Sequence, residues 1–283
     1  MALAGALGIA AAGIPSAVAA GLQEPPARTY YVAVGASESL GVQPTATSRH
    51  SVPTDDGYAN ALVAMERSRW PGLQLVHFGC PGITAQAALL GGGPCRFAAG
   101  SEIQAAADFL RRHPGKSVLA TVDLGFNDVW PCLAHRTVDA ACVTAAFAVI
   151  SRVLPVTLHD LRAAGGPDMK MVGLLHNDPC LASYLRGPAG QAFSAAALAV
   201  FDRFNTLLSA IYTRAGVSIA NVPAAFAVGT PTTAALGTHG TVPLDVAKVC
   251  TLTWMCRERN LHPNAAGYQA IADAIAAALP RPS

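Results

Sequence analysis

Tyr31-Val32-Ala33-Val34-Gly35-Ala36-Ser37-Glu38-Ser39-Leu40-Gly41 joins an apolar, β-branched run to a glycine, a small residue and a serine. The apolar run reads as a strand buried on both faces, the pattern of a parallel sheet. A serine just beyond the carboxyl end of such a strand sits where open α/β sheets bind ligands. Its hydroxyl can serve as a nucleophile if the rest of the chain supplies a base and donors for a developing oxyanion.

Working outward, four more strand-like runs follow the one at 30–34, at 73–78, 117–124, 170–175 and 217–222. Helix-like stretches alternate with them at 58–69, 102–112, 140–164 and 192–215, and a last one at 265–279 closes the chain before Pro280. This alternation predicts an α/β protein with a five-stranded parallel sheet covered on both faces. Residues 226–256, rich in Thr, Gly and Pro and weakly periodic, read as a large loop over the site.

The chain has 283 residues, enough for one large domain. Charged residues make up 13% of it and the net charge is +2, with Lys and Arg scattered, so it carries no electrostatic footprint for nucleic acid. Residues 1–20 are uncharged and apolar and end in Ala17-Val18-Ala19-Ala20, a small-x-small pattern that reads as a cleavable signal peptide. An uncleaved anchor is the other reading of the same run. Residues 21–29 then form a linker and 30–280 a single domain, placing the protein outside the cytoplasm, secreted or associated with the cell envelope. Seven cysteines agree with export. Cys80 and Cys95, Cys132 and Cys142, and Cys250 and Cys256 are near neighbours that could staple three short loops, although seven cysteines permit many other connectivities. Cys180 is left over and reads as a buried free thiol.

Four segments that end strands or precede a helix carry chemistry. Ser37 follows the first strand; Cys80-Pro81-Gly82 follows the second and offers the Gly82 amide in a turn; Gly125-Phe126-Asn127-Asp128 follows the third and offers the Asn127 side chain; and His262-Pro263-Asn264 precedes the last helix. Acyl transfer needs these groups together: a hydroxyl, a base within reach of its proton, and donors for the oxyanion. His262 is the candidate base, and the Ser37 amide, the Gly82 amide and the Asn127 side chain are the candidate oxyanion hole.

With its Ser, Gly, Asn and His in four separated blocks in this order, the chain resembles the SGNH (GDSL-type) hydrolases over residues 30–275. Cys80-Pro81-Gly82 and Cys256 ahead of His262 are similar to the secreted, disulfide-bearing actinobacterial members. The resemblance implies a flavodoxin-like three-layer α/β/α sandwich, ester hydrolysis and no metal or other cofactor. The implied substrate is a carboxylic ester; the low charge of residues 226–256 suits lipid or short acyl esters rather than anionic groups, and deacetylation of a carbohydrate of the cell envelope is the enzymatic alternative. A non-catalytic envelope-binding protein on the same fold is the alternative of a different class. The sequence departs from the family in two places. Ala36 stands where the family has Asp, which bears on the geometry of the turn. Asn260 and Arg259 occupy the positions two and three before the histidine where the family carries an Asp, and the nearest carboxylate is Glu258. Three options follow: Glu258 reaches round, a backbone carbonyl orients the ring, or the base is poorly held; the carbonyl-supported Ser–His dyad is the favoured reading.

The other candidates read as ordinary structure. Ser39 is off the Gly-x-Ser register and reads as a local hydrogen-bonder, and the stretch is not a Gly-x-Ser-x-Gly elbow. His77 and His176, at strand ends, read as core histidines, and the remaining histidines as solvated. No His-Glu-x-x-His or similar cluster occurs, so no metal is expected. Gly115-Lys116-Ser117 lacks the earlier glycine and the preceding strand of a phosphate loop. Asp128 reads as a backbone acceptor, and the residues near Trp254 as an acyl pocket or as core.

Overall fold

The structure is a computed structural model that describes residues 26–45 and 48–280. The leader 1–20 and most of the linker 21–29 lie outside the described residues, so the sequence reading of them stands as an expectation.

The chain opens with β1 (Thr29–Gly35), a small antiparallel ladder of β2 (Gln43–Thr45) and β3 (Ser48–Val52), α1 (Tyr58–Glu66) and β4 (Leu73–His77). Next come α2 (Ala85–Leu90), α3 (Glu102–Arg112), β5 (Ser117–Asp123), α4 (Phe126–Val129), α5 (Ala140–Gly165) and β6 (Lys170–Leu174). The last part holds α6 (Gly187–Arg214), β7 (Ser218–Ala220), α7 (Val222–Ala225), β8 (Thr233–Ala235), β9 (Thr241–Pro243), α8 (Leu244–Leu252), α9 (Met255–Glu258) and α10 (Ala265–Ala278). The main sheet has the order β4-β1-β5-β6-β7, with every neighbouring pair parallel. All five strands and the five long helices read from the sequence are present, with ends shifted by a few residues.

The strands are apolar throughout because both faces are covered, and period-two alternation sends successive side chains to opposite layers. In β1, Val32 and Val34 enter the core shared with α3, α5 and α6, whereas Tyr31 and Ala33 enter the core shared with α1 and α10. In β5, Ala120 and Val122 divide from Leu119 in the same way. Helix α5 is long and apolar enough to cross a bilayer, yet it buries Ile150, Leu154, Leu158 and Leu161 against the sheet, as the core helix of a globular layer does. Side-chain caps start several helices: Ser101 accepts from the Gln104 amide at 3.1 Å and Asn264 from the Gly267 amide at 3.1 Å.

The main difference from the sequence reading lies in residues 226–256. That stretch is not all loop: β8 and β9 pair antiparallel, and α8 buries Val246 and Val249 in the core. Only a few of its positions face inward, too few for an apolar period to show through the surrounding Thr and Gly. His77 is exposed rather than a core histidine.

The sheet order carries a functional consequence. From β1 the chain steps outward to β4 on one side and then through β5, β6 and β7 on the other. The connections therefore diverge between β1 and β5, and the crevice beyond their carboxyl ends is where α/β sheets of this kind hold ligands. Ser37 follows β1 and Asn127 follows β5, so both stand at that crevice. Packing across the sheet leaves little slack. A Cβ on Gly173 of β6 would fall 2.4 Å from the ring of the fully buried Tyr212 of α6. Gly173→Ala is expected to destabilise the protein by about 1–3 kcal/mol through overpacking. That would appear as a lower urea midpoint with an unchanged denaturant slope; an unchanged midpoint would contradict this packing.

Candidate active site

Backbone hydrogen bonds gather the site segments before any side chain takes part. The Ala36 amide donates to Asp123 O at 3.0 Å, so the turn carrying Ser37 is fastened to the end of β5. The Cys80 amide donates to Gly35 O at 2.9 Å, which brings in the turn that carries Gly82. That turn is clasped in turn to the Asn127 segment: Asn127 Nδ2 donates to Ile83 O at 3.0 Å, and the Ala85 amide donates to Asp128 Oδ2 at 2.8 Å. Asp128 is thus the backbone acceptor the sequence suggested. Ser39 Oγ donates to Ala36 O at 2.6 Å, a local bond that closes the short 3₁₀ turn Ser37–Leu40.

The fourth segment arrives by side chains. Tyr268 OH donates to Val42 O at 2.6 Å, and Trp254 Nε1 donates to Gln43 Oε1 at 3.1 Å, tying the C-terminal part to the chain just after Ser37. The Trp254 amide donates to His262 O at 3.0 Å, and Thr253 bridges to Pro263. The structure therefore brings all four sequence blocks to one end of the sheet. No hydrogen bond joins the His262 ring to Ser37 Oγ here, and such contacts often tighten only when substrate enters.

His262 is oriented by a residue that the sequence reading passed over. Its Nδ1 lies 2.7 Å from Asn260 Oδ1, which also accepts the His262 amide at 3.0 Å. Asn260 Nδ2 donates to Ser51 Oγ at 2.6 Å, so the amide cannot flip without losing its partners on both sides. The oxygen then faces Nδ1, which must carry the proton, and Nε2 is left as the basic nitrogen. This differs from all three options read from the sequence. Glu258 is exposed and lies 3.7 Å from Arg257, and the partner is a side-chain oxygen, not a backbone carbonyl. Asn260 stands in a family acid position, where its side-chain oxygen serves as a neutral acceptor. Burial lowers the His262 pKa to about 4, and a neutral partner supplies no charge to raise it.

The three groups proposed for an oxyanion hole lie on the clasped turns. Gly82 has φ +79°, a left-handed conformation that a side chain would strain, and it is exposed at the crevice. The disulfide from Cys80 to Cys95 pins this turn two residues away. Asn127 spends one N–H on Ile83 and keeps the other. Disulfides also join Cys132 to Cys142 and Cys250 to Cys256, while Cys180 is a buried free thiol.

Around the Ser37 turn lies a group of acids, Glu102 and Asp123 buried and Glu38 partly buried, that sequence reasoning did not anticipate. The Gly35 amide donates to Glu102 Oε1 at 2.7 Å, and Glu102 is fully buried. Glu38, Asp123 and His176 each bring a donor atom to within 4.8 Å of the others, with His176 Nδ1 3.7 Å from Asp123 Oδ1. No Lys or Arg pairs with any of them among the described residues. Burial pushes the Asp123 carboxyl up to about 7 and raises Glu38 well above the usual carboxylate range, with Asp123 adding to the effect; burial also lowers His176 to about 4. The carboxyls that floor the site are therefore harder to ionise than exposed ones, and they lie beside a neutral imidazole.

A pocket of about 310 Å³ opens between the stretch 130–136 that follows α4, the start of α6 with the turn before it, and Met255 of α9. Its walls include Trp130, Leu133, Cys180, Phe193 and Met255, and Trp130 stacks on Phe126 with centroids 5.5 Å apart. Met255 lines this pocket and also packs against the core, whereas Trp254 faces a separate, more polar depression with Gln43 and Arg257.

With the fold and these four segments established, the comparisons with known proteins agree. The GDSL-like lipase/acylhydrolase family matches residues 33–270, and the chain belongs to that family of ester hydrolases. An extracellular lipase from Streptomyces rimosus is similar in structure at 19% identity and a TM-score of 0.54, over 89% of this chain and all (100%) of that one. A lipase from a goat rumen metagenome matches at 15% identity and a TM-score of 0.54, over 88% of this chain and 97% of that one. A catalytic mutant of an acetylxylan esterase from Geobacillus stearothermophilus matches at 14% identity and a TM-score of 0.51, over 88% and 92% of the two chains. These likenesses bear on the fold, a three-layer α/β hydrolase architecture. No curated protein matches the chain.

Two outcomes follow from the electrostatics. Replacing Asn260 with Asp puts a negative charge beside the imidazole, which favours its protonated form. The acid limb of kcat/KM should then move to higher pH by about one unit or more; an unmoved limb would show that position 260 does not govern the ring. Asp123 binds its proton more tightly in the folded than in the unfolded chain. Its contribution to stability is therefore present at low pH and lost as pH rises from about 4 to about 7. In thermal melts, Asp123→Asn should lose less Tm than the wild type between pH 5 and pH 8; equal losses would contradict this assignment.

Proposed function

We propose that the protein is an exported serine esterase in which Ser37 is the nucleophile, His262 the general base and Asn260 the residue that orients it. The observation that carries this reading is the His262–Asn260–Ser51 chain of hydrogen bonds. It fixes a neutral imidazole with Nε2 free, next to a segment tied to the Ser37 turn. In the reaction, His262 Nε2 accepts the Ser37 proton as Oγ attacks the ester carbonyl. The Ser37 and Gly82 amides and the remaining Asn127 N–H receive the oxyanion. His262 then returns the proton to the departing alcohol, and water resolves the acyl-enzyme by the same steps. Asn260 does for the ring what Asn does in papain-like proteases: it holds the tautomer without supplying charge.

The acyl side of the substrate is best matched by the pocket under Trp130, whose apolar walls suit a lipid or short acyl ester better than an acetylated sugar. Export rests on the leader-like residues 1–20 and on three disulfides, which persist in oxidising compartments. The Asn260 support for His262 also weighs against the non-catalytic alternative, since a disused base would not need its tautomer fixed.

Ser37→Ala should lower kcat for 4-nitrophenyl butyrate hydrolysis by at least about a thousandfold, leaving what the oxyanion donors provide alone. Wild-type turnover by this variant would overturn the assignment.

A further inference from the structure

The pocket beneath Trp130 has a second property that the esterase reading does not use. Two arginines from separate elements reach it: Arg136, from the stretch after α4, and Arg186, from the turn Pro179–Arg186 that leads into α6. His135 joins them at the rim, and no Asp or Glu lines the pocket. Neither arginine is ion-paired with a carboxylate among the described residues. The placement of Arg136 is built in. His135 and Arg136 both adopt left-handed backbone, φ 56° and 58°, which L residues seldom do. They lie in the loop that the Cys132–Cys142 disulfide closes, and backbone bonds Thr137 N to Ala134 O at 3.1 Å and Asp139 N to Cys132 O at 2.9 Å hold that loop on either side.

The position of the pocket links it to the proposed chemistry. Trp130 stands three residues after Asn127, and Met255 lies on α9, the helix just before the Asn260–His262 loop. The pocket is therefore lined by near neighbours in sequence of the proposed oxyanion donor Asn127 and of the proposed base His262. At about 310 Å³ the cavity is at the small end of ligand pockets, roughly 300–1,000 Å³. It would hold a short apolar chain, not a long one. Its chemistry is amphiphilic: apolar walls and a cationic rim without a neutralising acid. Guanidinium groups recognise phosphate and carboxylate through paired N–H donors.

We propose that Arg136 and Arg186 make this enzyme selective for short-chain esters that carry an anionic group, phosphate or carboxylate, on an otherwise apolar frame. The proposal rests on the esterase reading above and adds to it the class of substrate. It also revises the inference from residues 226–256, whose low charge suggested uncharged esters: the pocket is lined chiefly by residues outside that stretch.

Two substrate pairs place the anion on either side of the ester. 4-Nitrophenyl hemiglutarate against 4-nitrophenyl pentanoate puts it on the acyl group; monobutyryl glycerol phosphate against monobutyrin puts it on the alcohol. The expected result is a kcat/KM at least about tenfold higher for the anionic member in one pair, which identifies the side. That ratio should fall towards one in the Arg136→Gln/Arg186→Gln protein and shrink as salt is raised, because the interaction is screened. The proposal is overturned if neither pair shows the preference, or if the ratio survives the double replacement. A binding measurement keeps the result independent of turnover. n-Hexyl phosphate should bind Ser37→Ala protein at least about tenfold more tightly than n-hexanol by calorimetry, and lose that advantage when the arginines are also replaced. Equal affinities would refute the pocket assignment whatever the catalytic outcome. A protein that binds hexyl phosphate in this way but hydrolyses none of the four esters would instead count against the esterase reading alone.

Discussion

Everything in the site hangs from the backbone of Gly35. Its amide is held by the buried carboxyl of Glu102, its carbonyl accepts from Cys80, and the next amide donates to Asp123 O. A side chain cannot be fitted there: φ is +156°, and a Cβ would fall 2.6 Å from Asp123 O. The result is that three segments distant in sequence meet at one peptide unit. Ser37, two residues on, inherits its position from that junction. A carboxyl buried in this way is costly unless it is protonated or well bonded. The fold accepts the cost at the point where the nucleophile needs a fixed frame.

The same logic separates the two polar systems on either side of Ser37. Below it, Glu38, Asp123 and His176 crowd together, and burial raises both carboxyls and lowers the imidazole, so each group's neutral form is favoured. Beside it, His262 is neutral because burial disfavours imidazolium and because Asn260 offers an oxygen without a charge. A triad acid would stabilise the imidazolium that forms during acyl transfer; a neutral amide keeps the geometry but not that stabilisation. The expected enzyme is one whose base works unprotonated far into acid.

Much of this was legible in the sequence, and for definable reasons. The five strands announced themselves because a sheet covered on both faces is apolar at nearly every position. The Ser, Gly, Asn and His blocks were visible because each falls at a strand end or ahead of a helix. The three disulfides agree with near-neighbour spacing. What escaped depends on contacts across the fold. Asn260 is an unremarkable loop residue until Ser51, far away in sequence, fixes its amide. Glu38, Asp123 and Glu102 look like three ordinary acids until β1, β5 and α3 bring them together. Helix α8 was hidden because its apolar positions are few and flanked by Thr and Gly, and the arginines of the Trp130 pocket come from elements that share no local pattern.

The central claim is that this junction presents Ser37 as an activated nucleophile. Its most direct test is intact-protein and peptide mass spectrometry after exposure to a fluorophosphonate, which labels serines activated by a neighbouring base. The account predicts one adduct, mapped to Ser37, that forms in wild-type protein and is lost when His262 is replaced with Ala. An unlabelled Ser37, or an adduct on Ser39 or another serine, would contradict it.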